Sequence, residues 1–119
     1  MMRPEILAGQ TIRVRSRFGT VYVTLNETCE GVPSEIFLNT GKCGSDLAAH
    51  AEAIGRLCSL LLFLPSSVSE VQRIEWIIKN LSGIGGEKEG IRSVPDALAA
   101  ALTQYLTQRG LKPAAPNAG

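Results

Sequence analysis

Few side chains in this sequence carry chemistry of their own: three cysteines, Cys29, Cys43 and Cys58, and a single histidine, His50. Cys43 has the setting that best suits a reactive thiol. It follows Lys42 in the run Gly41-Lys-Cys-Gly-Ser-Asp46 and stands just ahead of a helix start, where a cation and the positive end of the helix dipole both favour thiolate. The competing reading is a small residue in a tight glycine turn. His50 could serve as a base for Cys43, but seven residues along a helix is about 10 Å, too far for direct proton transfer. Cys58 falls on an apolar helical stripe and reads as core; Cys29 sits in a polar loop and reads as exposed. The spacings include no CxxC or CxxH, so neither a disulfide framework nor a metal site is expected.

Two places could hold an anion. In the first, Lys42 and the backbone of Cys43, Gly44 and Ser45 converge where a helix begins. The P-loop spacing is missing, and Asp46 would oppose a phosphate. In the second, Arg13, Arg15 and Arg17 lie across a hairpin from Tyr22, a set able to contact phosphate and stack a base. A solvated strand face, with basic residues guarding against edge pairing, has the same pattern. The net charge of the chain is +1, which gives no global pull towards nucleic acid or membrane. The charge is uneven, since the first 25 residues hold four arginines against Glu5 and the remainder is net acidic.

These groups must be positioned by a single domain of 119 residues, 45% hydrophobic and 19% charged, an ordinary globular composition. Residues 11–25 alternate as half-buried strands do. Ile12, Val14, Val21, Val23 and Leu25 face one way, with Arg13, Arg15, Tyr22 and Thr24 opposite. Arg17-Phe-Gly-Thr20 makes the turn between them, Asn26 to Pro33 reads as a polar loop, and Glu35 to Asn39 reads as a third strand with Phe37 on the arginine face. Three helices follow. The first is capped by Ser45 or Asp46 and carries Leu47, Ala51, Ile54, Leu57, Cys58, Leu61 and Leu64 as its stripe, up to Pro65. Its many other small residues require a close neighbour: the sheet, another helix or a second copy. Glu52 and Arg56 are spaced for an ion pair.

The second helix opens at Ser67-Val-Ser-Glu70 and turns Val71, Ile74, Ile77, Ile78 and Leu81 inward, with Gly83 as its stop and Trp76 off the stripe at a partner surface. The third opens at Ser93-Val-Pro-Asp96, with Ser93 as cap and Asp96 favoured by the dipole. Leu98, Ala101, Leu102, Tyr105 and Leu106 form its buried stripe. Strands before helices indicate an α+β fold, a three-stranded antiparallel meander with about three helices on one face. Residues 1–10 read as an N-terminal extension, 11–109 as the domain, and 110–119 as a flexible tail. The start lacks the apolar core of a signal peptide, and the longest apolar run, Leu60 to Leu64, is too short for a membrane span. A cytoplasmic setting is expected.

Several blocks together carry a family resemblance: Val21-Tyr-Val-Thr-Leu-Asn-Glu27, Glu35-Ile-Phe37, Gly41-Lys42, Glu52-Ala-Ile-Gly-Arg-Leu57, Ile77-Ile-Lys-Asn-Leu-Ser-Gly-Ile84 and Ser93-Val-Pro-Asp-Ala-Leu-Ala99. In this order they resemble the TSCPD domain over residues 11–107. That domain is found near the C-terminus of adenosylcobalamin-dependent (class II) ribonucleotide reductases and as small independent proteins. The departures are specific. The family's eponymous cysteine falls at Val94, its hairpin cysteine near Phe18, and its cysteine after the Gly-Ile pair has no counterpart between Gly83 and Arg92. The cobalamin-binding barrel of those reductases has no counterpart in these residues either, and no cofactor is expected.

The resemblance therefore implies kinship with ribonucleotide reductase without reductase activity. The expected function is an accessory or assembly domain that acts through protein contacts. A homodimer is expected, through the open sheet face with Tyr22 and Phe37 and through the small-residue helix, and a separate reductase chain is a possible partner. Two alternatives stand beside it: a nucleotide- or phosphate-binding regulator using Lys42 and the arginine strand, and a small thiol enzyme using Cys43.

Overall fold

The computed structural model describes residues 5–16, 19–40, 46–85, 90–91 and 93–111. Alternation sets its sheet. Strands β1 (Ala8–Ser16), β2 (Gly19–Glu27) and β3 (Pro33–Thr40) form an antiparallel meander in the order β1-β2-β3. Ile12, Val14, Val21, Val23, Leu25, Ile36 and Leu38 are all buried, as their spacing predicts. The strands are longer than the alternation alone marks. Ala8, Gly9 and Gln10 join β1, and Ser16 pairs with Gly19, so only positions 17 and 18 separate the first two strands. After a register shift at Asn26 and Glu27, Glu27 pairs with Pro33.

Helices α1 (Asp46–Phe63), α2 (Glu70–Leu81) and α3 (Val94–Arg109) lie on the apolar face of the sheet. α1 packs along β3, α3 on β1 and β2, and α2 mainly on α3. Together they give the expected α+β architecture. The core joins the inner sheet face to Ala51, Cys58 and Leu62 of α1, Ile74 and Ile77 of α2, and Val94, Ala97, Leu98, Ala101, Leu102, Tyr105 and Leu106 of α3.

The phase of α1 differs from the expected stripe. Ala51, Gly55, Cys58 and Leu62 face the sheet, while Leu57 and Leu61 are 62% and 47% exposed. The reason is steric. A Cβ on Gly55 would lie 3.1 Å from the backbone nitrogen of Leu38 and 3.4 Å from the carbonyl oxygen of Ile36. Only the small-residue side lets the helix axis come that close to β3, so the close neighbour is the sheet. Ser59 completes the contact: its hydroxyl accepts from Ile36 N at 2.9 Å and donates to Ile36 O at 2.8 Å. One side chain thus satisfies two backbone groups of an edge strand and keeps them from pairing elsewhere.

Capping explains the other helix starts. The α2 cap is Ser69, not Ser67, and its hydroxyl accepts from Gln72 N at 3.1 Å. The capping-box spacing is therefore Ser69-Glu-Val-Gln72, two residues later than the alternative spacing that the sequence also permits. α3 starts at Ser93, with Pro95 in the first turn, as expected. It ends on Gly110 in the left-handed conformation, with Leu111 N donating to Leu106 O at 2.9 Å. The tail expected at 110–119 lies outside the described residues from position 112 onward. No described helix is long and apolar enough to cross a membrane.

Candidate functional site

Ser93-Val-Pro-Asp96 acts as a clasp. The Ser93 hydroxyl accepts from Asp96 N at 3.2 Å and donates to Ile84 O at 2.6 Å. The Asp96 carboxylate accepts from Gly83 N at 2.8 Å. Both side chains therefore tie the end of α2 to the start of α3, and Asp96, 8% exposed, is a structural acid. Val94 is buried in the core beside it.

A second polar cluster closes the far end of α3. Tyr105 is fully buried and its hydroxyl donates to Glu27 Oε2 at 2.5 Å. Arg109 Nε lies 3.1 Å from the same oxygen. Gly31, at φ 81°, turns the β2–β3 connection, and a Cβ there would meet the Arg109 guanidinium at 3.2 Å. Burial pushes the Tyr105 phenol well above its usual range, and the adjacent carboxylate adds to the rise. A phenol held so firmly protonated donates a hydrogen bond and is no general base. The sequence offered one sign of this cluster, because Val21, Val23, Leu25 and Glu27 share one strand parity. Glu27 thus falls on the inner face.

A third arrangement is apolar. α1 and α2 diverge around a groove of about 400 Å³ lined by Ile54, Leu57, Leu61, Trp76, Ile77 and Leu81, among others. Arg73 forms its polar end. Its Nη1 donates to the carbonyls of Leu61 at 2.7 Å, Leu62 at 3.2 Å and Leu64 at 3.0 Å, and its Nε donates to Val68 O at 3.1 Å. α1 has no basic residue in its own last turn, and Arg73 supplies that cap from the next helix. Arginine spacing relative to α1 gives no local signal for this, since the partners are 9–12 residues apart.

The predicted site residues divide among separate places. Lys42, Cys43, Gly44 and Ser45 lie outside the described residues, as do Arg17 and Phe18 of the hairpin. Arg13 and Arg15 are exposed on the open sheet face, where Arg13 stands across from Tyr22. Phe37 is on the same face, opposite Thr24. Tyr22 and Phe37 are 39% and 44% exposed. Trp76 is on the other side of the molecule, in the α1–α2 groove, and is 49% exposed. His50 lies 3.7 Å from Asp46 at the surface, and Arg56 and Glu52 pair at 2.6 Å. Cys58 is buried, with its thiol pushed up to about 11 by desolvation, and Cys29 is exposed. Among the described residues no group of three or more His, Cys, Asp or Glu side chains is placed to hold a metal ion.

Comparison with protein families adds one finding. The model of the TSCPD domain matches residues 2–106. The chain belongs to the TSCPD domain family. No curated protein and no solved structure gives a significant match. In this TSCPD domain the Ser-Val-Pro-Asp segment serves as the α2–α3 clasp, with a valine in the core where the family name places cysteine.

Proposed function

We propose that this TSCPD domain is a non-catalytic accessory or assembly module of ribonucleotide-reductase-type nucleotide metabolism, cytoplasmic and acting through protein contacts. One observation carries the reading: from Leu57 to Leu64, α1 and its end present large apolar side chains away from the sheet as well as towards it. Its inner face is already satisfied by the sheet, yet Leu57, Leu60, Leu61, Phe63 and Leu64 remain between 46% and 63% exposed. Leu57 and Leu61 lie in the groove with Trp76, and Leu60 and Phe63 border a second groove with Arg56 and Ser59. A surface helix normally turns polar residues to solvent; a contiguous exposed cluster of large apolar side chains marks a contact surface. The family supports the reductase context, since these domains accompany class II reductases.

The test is light scattering of the purified domain mixed with a ribonucleotide reductase chain from the same cell, repeated with Leu61→Glu and with Phe37→Asp. A stoichiometric complex weakened by either substitution supports the reading. If no complex forms at tens of micromolar, the accessory role is lost.

The face carrying Arg13, Arg15 and Tyr22 favours a second reading, a regulator that binds a nucleotide by phosphate contact and stacking. It predicts saturable nucleotide binding that Arg13→Ala abolishes; unchanged binding removes it.

A further inference from the structure

We infer that the face formed by the outer side of α1 and Trp76 of α2 seats a second copy of this chain. The inference rests on the reading above that this face is a protein contact, and names its occupant. Three observations single out a second copy.

The first is extent. Leu57, Leu61, Leu64 and Trp76, together with Leu60 and Phe63 further round α1 where they border Arg56 and Ser59, present roughly 600 Å² of apolar surface, the upper end for a lone domain and near the ~800 Å² per partner of a specific interface. The second is shape. Ile54, Leu57, Leu61 and Leu64 repeat at intervals of three, four and three residues, the spacing of a helix–helix seam. The protruding Leu57 and Leu61 stand at the lip of the 400 Å³ groove that they help to line. A two-fold interface needs knob and hole on the same patch, because each copy must offer both.

The third is charge. Between Ala51 and Leu81, the segment that carries the patch, the charged residues are Glu52, Arg56, Glu70, Arg73, Glu75 and Lys79, three of each sign. Glu52 is paired with Arg56 at 2.6 Å, and Glu70 lies 3.6 Å from Arg73. A rim of one sign would repel an identical copy and select an opposite partner. This balanced rim does neither. The small-residue side of α1 is occupied by β3, so the dimer forms through the large apolar side chains and leaves the open sheet face free.

The chain has a single tryptophan, and it lies in the proposed interface. Light scattering and Trp76 fluorescence are measured on the full chain from about 1 to about 100 µM, for the wild type, Leu61→Glu and Phe37→Asp. The expected wild type has twice the 12.7 kDa chain mass. Its Trp76 emission moves to the blue and acrylamide quenching drops several-fold as dimer forms. Leu61→Glu stays monomeric with an accessible Trp76, and Phe37→Asp still dimerises. Should Leu61→Glu fail to fold by circular dichroism, the concentration dependence of wild-type Trp76 decides. A wild type that remains monomeric overturns the inference, as does a dimer broken by Phe37→Asp with Trp76 accessible throughout. A monomer that still binds the reductase chain keeps the accessory reading and loses only the second copy. A dimer that binds no reductase chain does the reverse.

Discussion

Tyr105→Phe removes a single oxygen from the interior and should cost about 2 kcal/mol. The hydroxyl donates to a carboxylate oxygen of Glu27 at 2.5 Å, and the two residues are 0% and 8% exposed. Hydrogen bonds to charged groups contribute about 1.5–3 kcal/mol, and the abandoned acceptor here has little access to water. Arg109 still reaches the same oxygen at 3.1 Å, but its side chain is 38% exposed. Solvent screening limits Arg109→Ala to about 1 kcal/mol or less. The phenol should therefore outrank the cation. In a domain of this size, 2 kcal/mol lowers the melting temperature by about 10 °C.

Urea unfolding at neutral pH gives the free energies, and the double variant Glu27→Leu/Tyr105→Phe supplies the coupling. With both polar partners gone, the double variant should lose at least about 1 kcal/mol less than the sum of the single losses. The pH dependence follows from the raised phenol. Its contribution is whole below about pH 10, where the unfolded chain's tyrosines ionise, and falls above it because only the unfolded state releases the proton. Tyr105→Phe should remove that alkaline decline. If it is within about 0.5 kcal/mol of wild type, the bond does not hold Glu27 in the interior and the reasoning fails.

Arg73→Lys should destabilise by about 1–3 kcal/mol despite keeping the charge, because one ammonium cannot reach the Leu61, Leu62, Leu64 and Val68 carbonyls together; Trp76 fluorescence and urea midpoints report it, and a loss below 0.5 kcal/mol would contradict the cap. Cys58, with a thiol held up to about 11 against an ordinary 9.0, should resist alkylation in the folded protein while Cys29 reacts, as mass spectrometry after a brief iodoacetamide pulse can show. Its contribution to stability is complete below pH 9 and is lost as pH rises towards 11. Cys58→Ala should flatten the stability profile between pH 9 and 10, a window below the Tyr105 effect.

What was legible in the sequence followed from local periodicity. The two-residue alternation of Ile12, Val14, Val21, Val23, Leu25, Ile36 and Leu38 fixes which sheet face is buried, because a strand has only two faces. Ser93 marks the start of α3 by an interaction within a few residues, whereas Gly110, which reads as the first residue of a tail, is the left-handed cap that ends it. The long-range partners were not legible. Nothing near Arg73 in the chain announces the carbonyls of Leu61, Leu62 and Leu64 at the end of α1, and nothing near Tyr105 announces a carboxylate 78 residues away. Glu27 shares the parity of Leu25, yet an acidic residue at that point reads as part of the loop from Asn26 to Pro33 until its partner is known.

The phase of α1 shows why the candidate surface was the hardest part to read. The helix has two apolar stripes, a small one through Ala51, Gly55 and Cys58 and a large one through Ile54, Leu57, Leu61 and Leu64. Hydrophobicity alone favours burying the larger. The sheet takes the smaller, because Gly55 admits the β3 backbone at 3.1 Å and Ser59 then satisfies both polar groups of Ile36. Turning the helix to bury Leu57 would place a branched side chain where a single Cβ is already tight, and would strand the Ile36 amide and carbonyl. Each such orphaned group costs about 1–3 kcal/mol, comparable to the ~1.5–3 kcal/mol gained by burying one leucine. The domain can satisfy its edge strand or bury its largest stripe, and it does the former. The leucines it leaves outside, Leu57, Leu61 and Leu64, are what the proposed contact would have to cover.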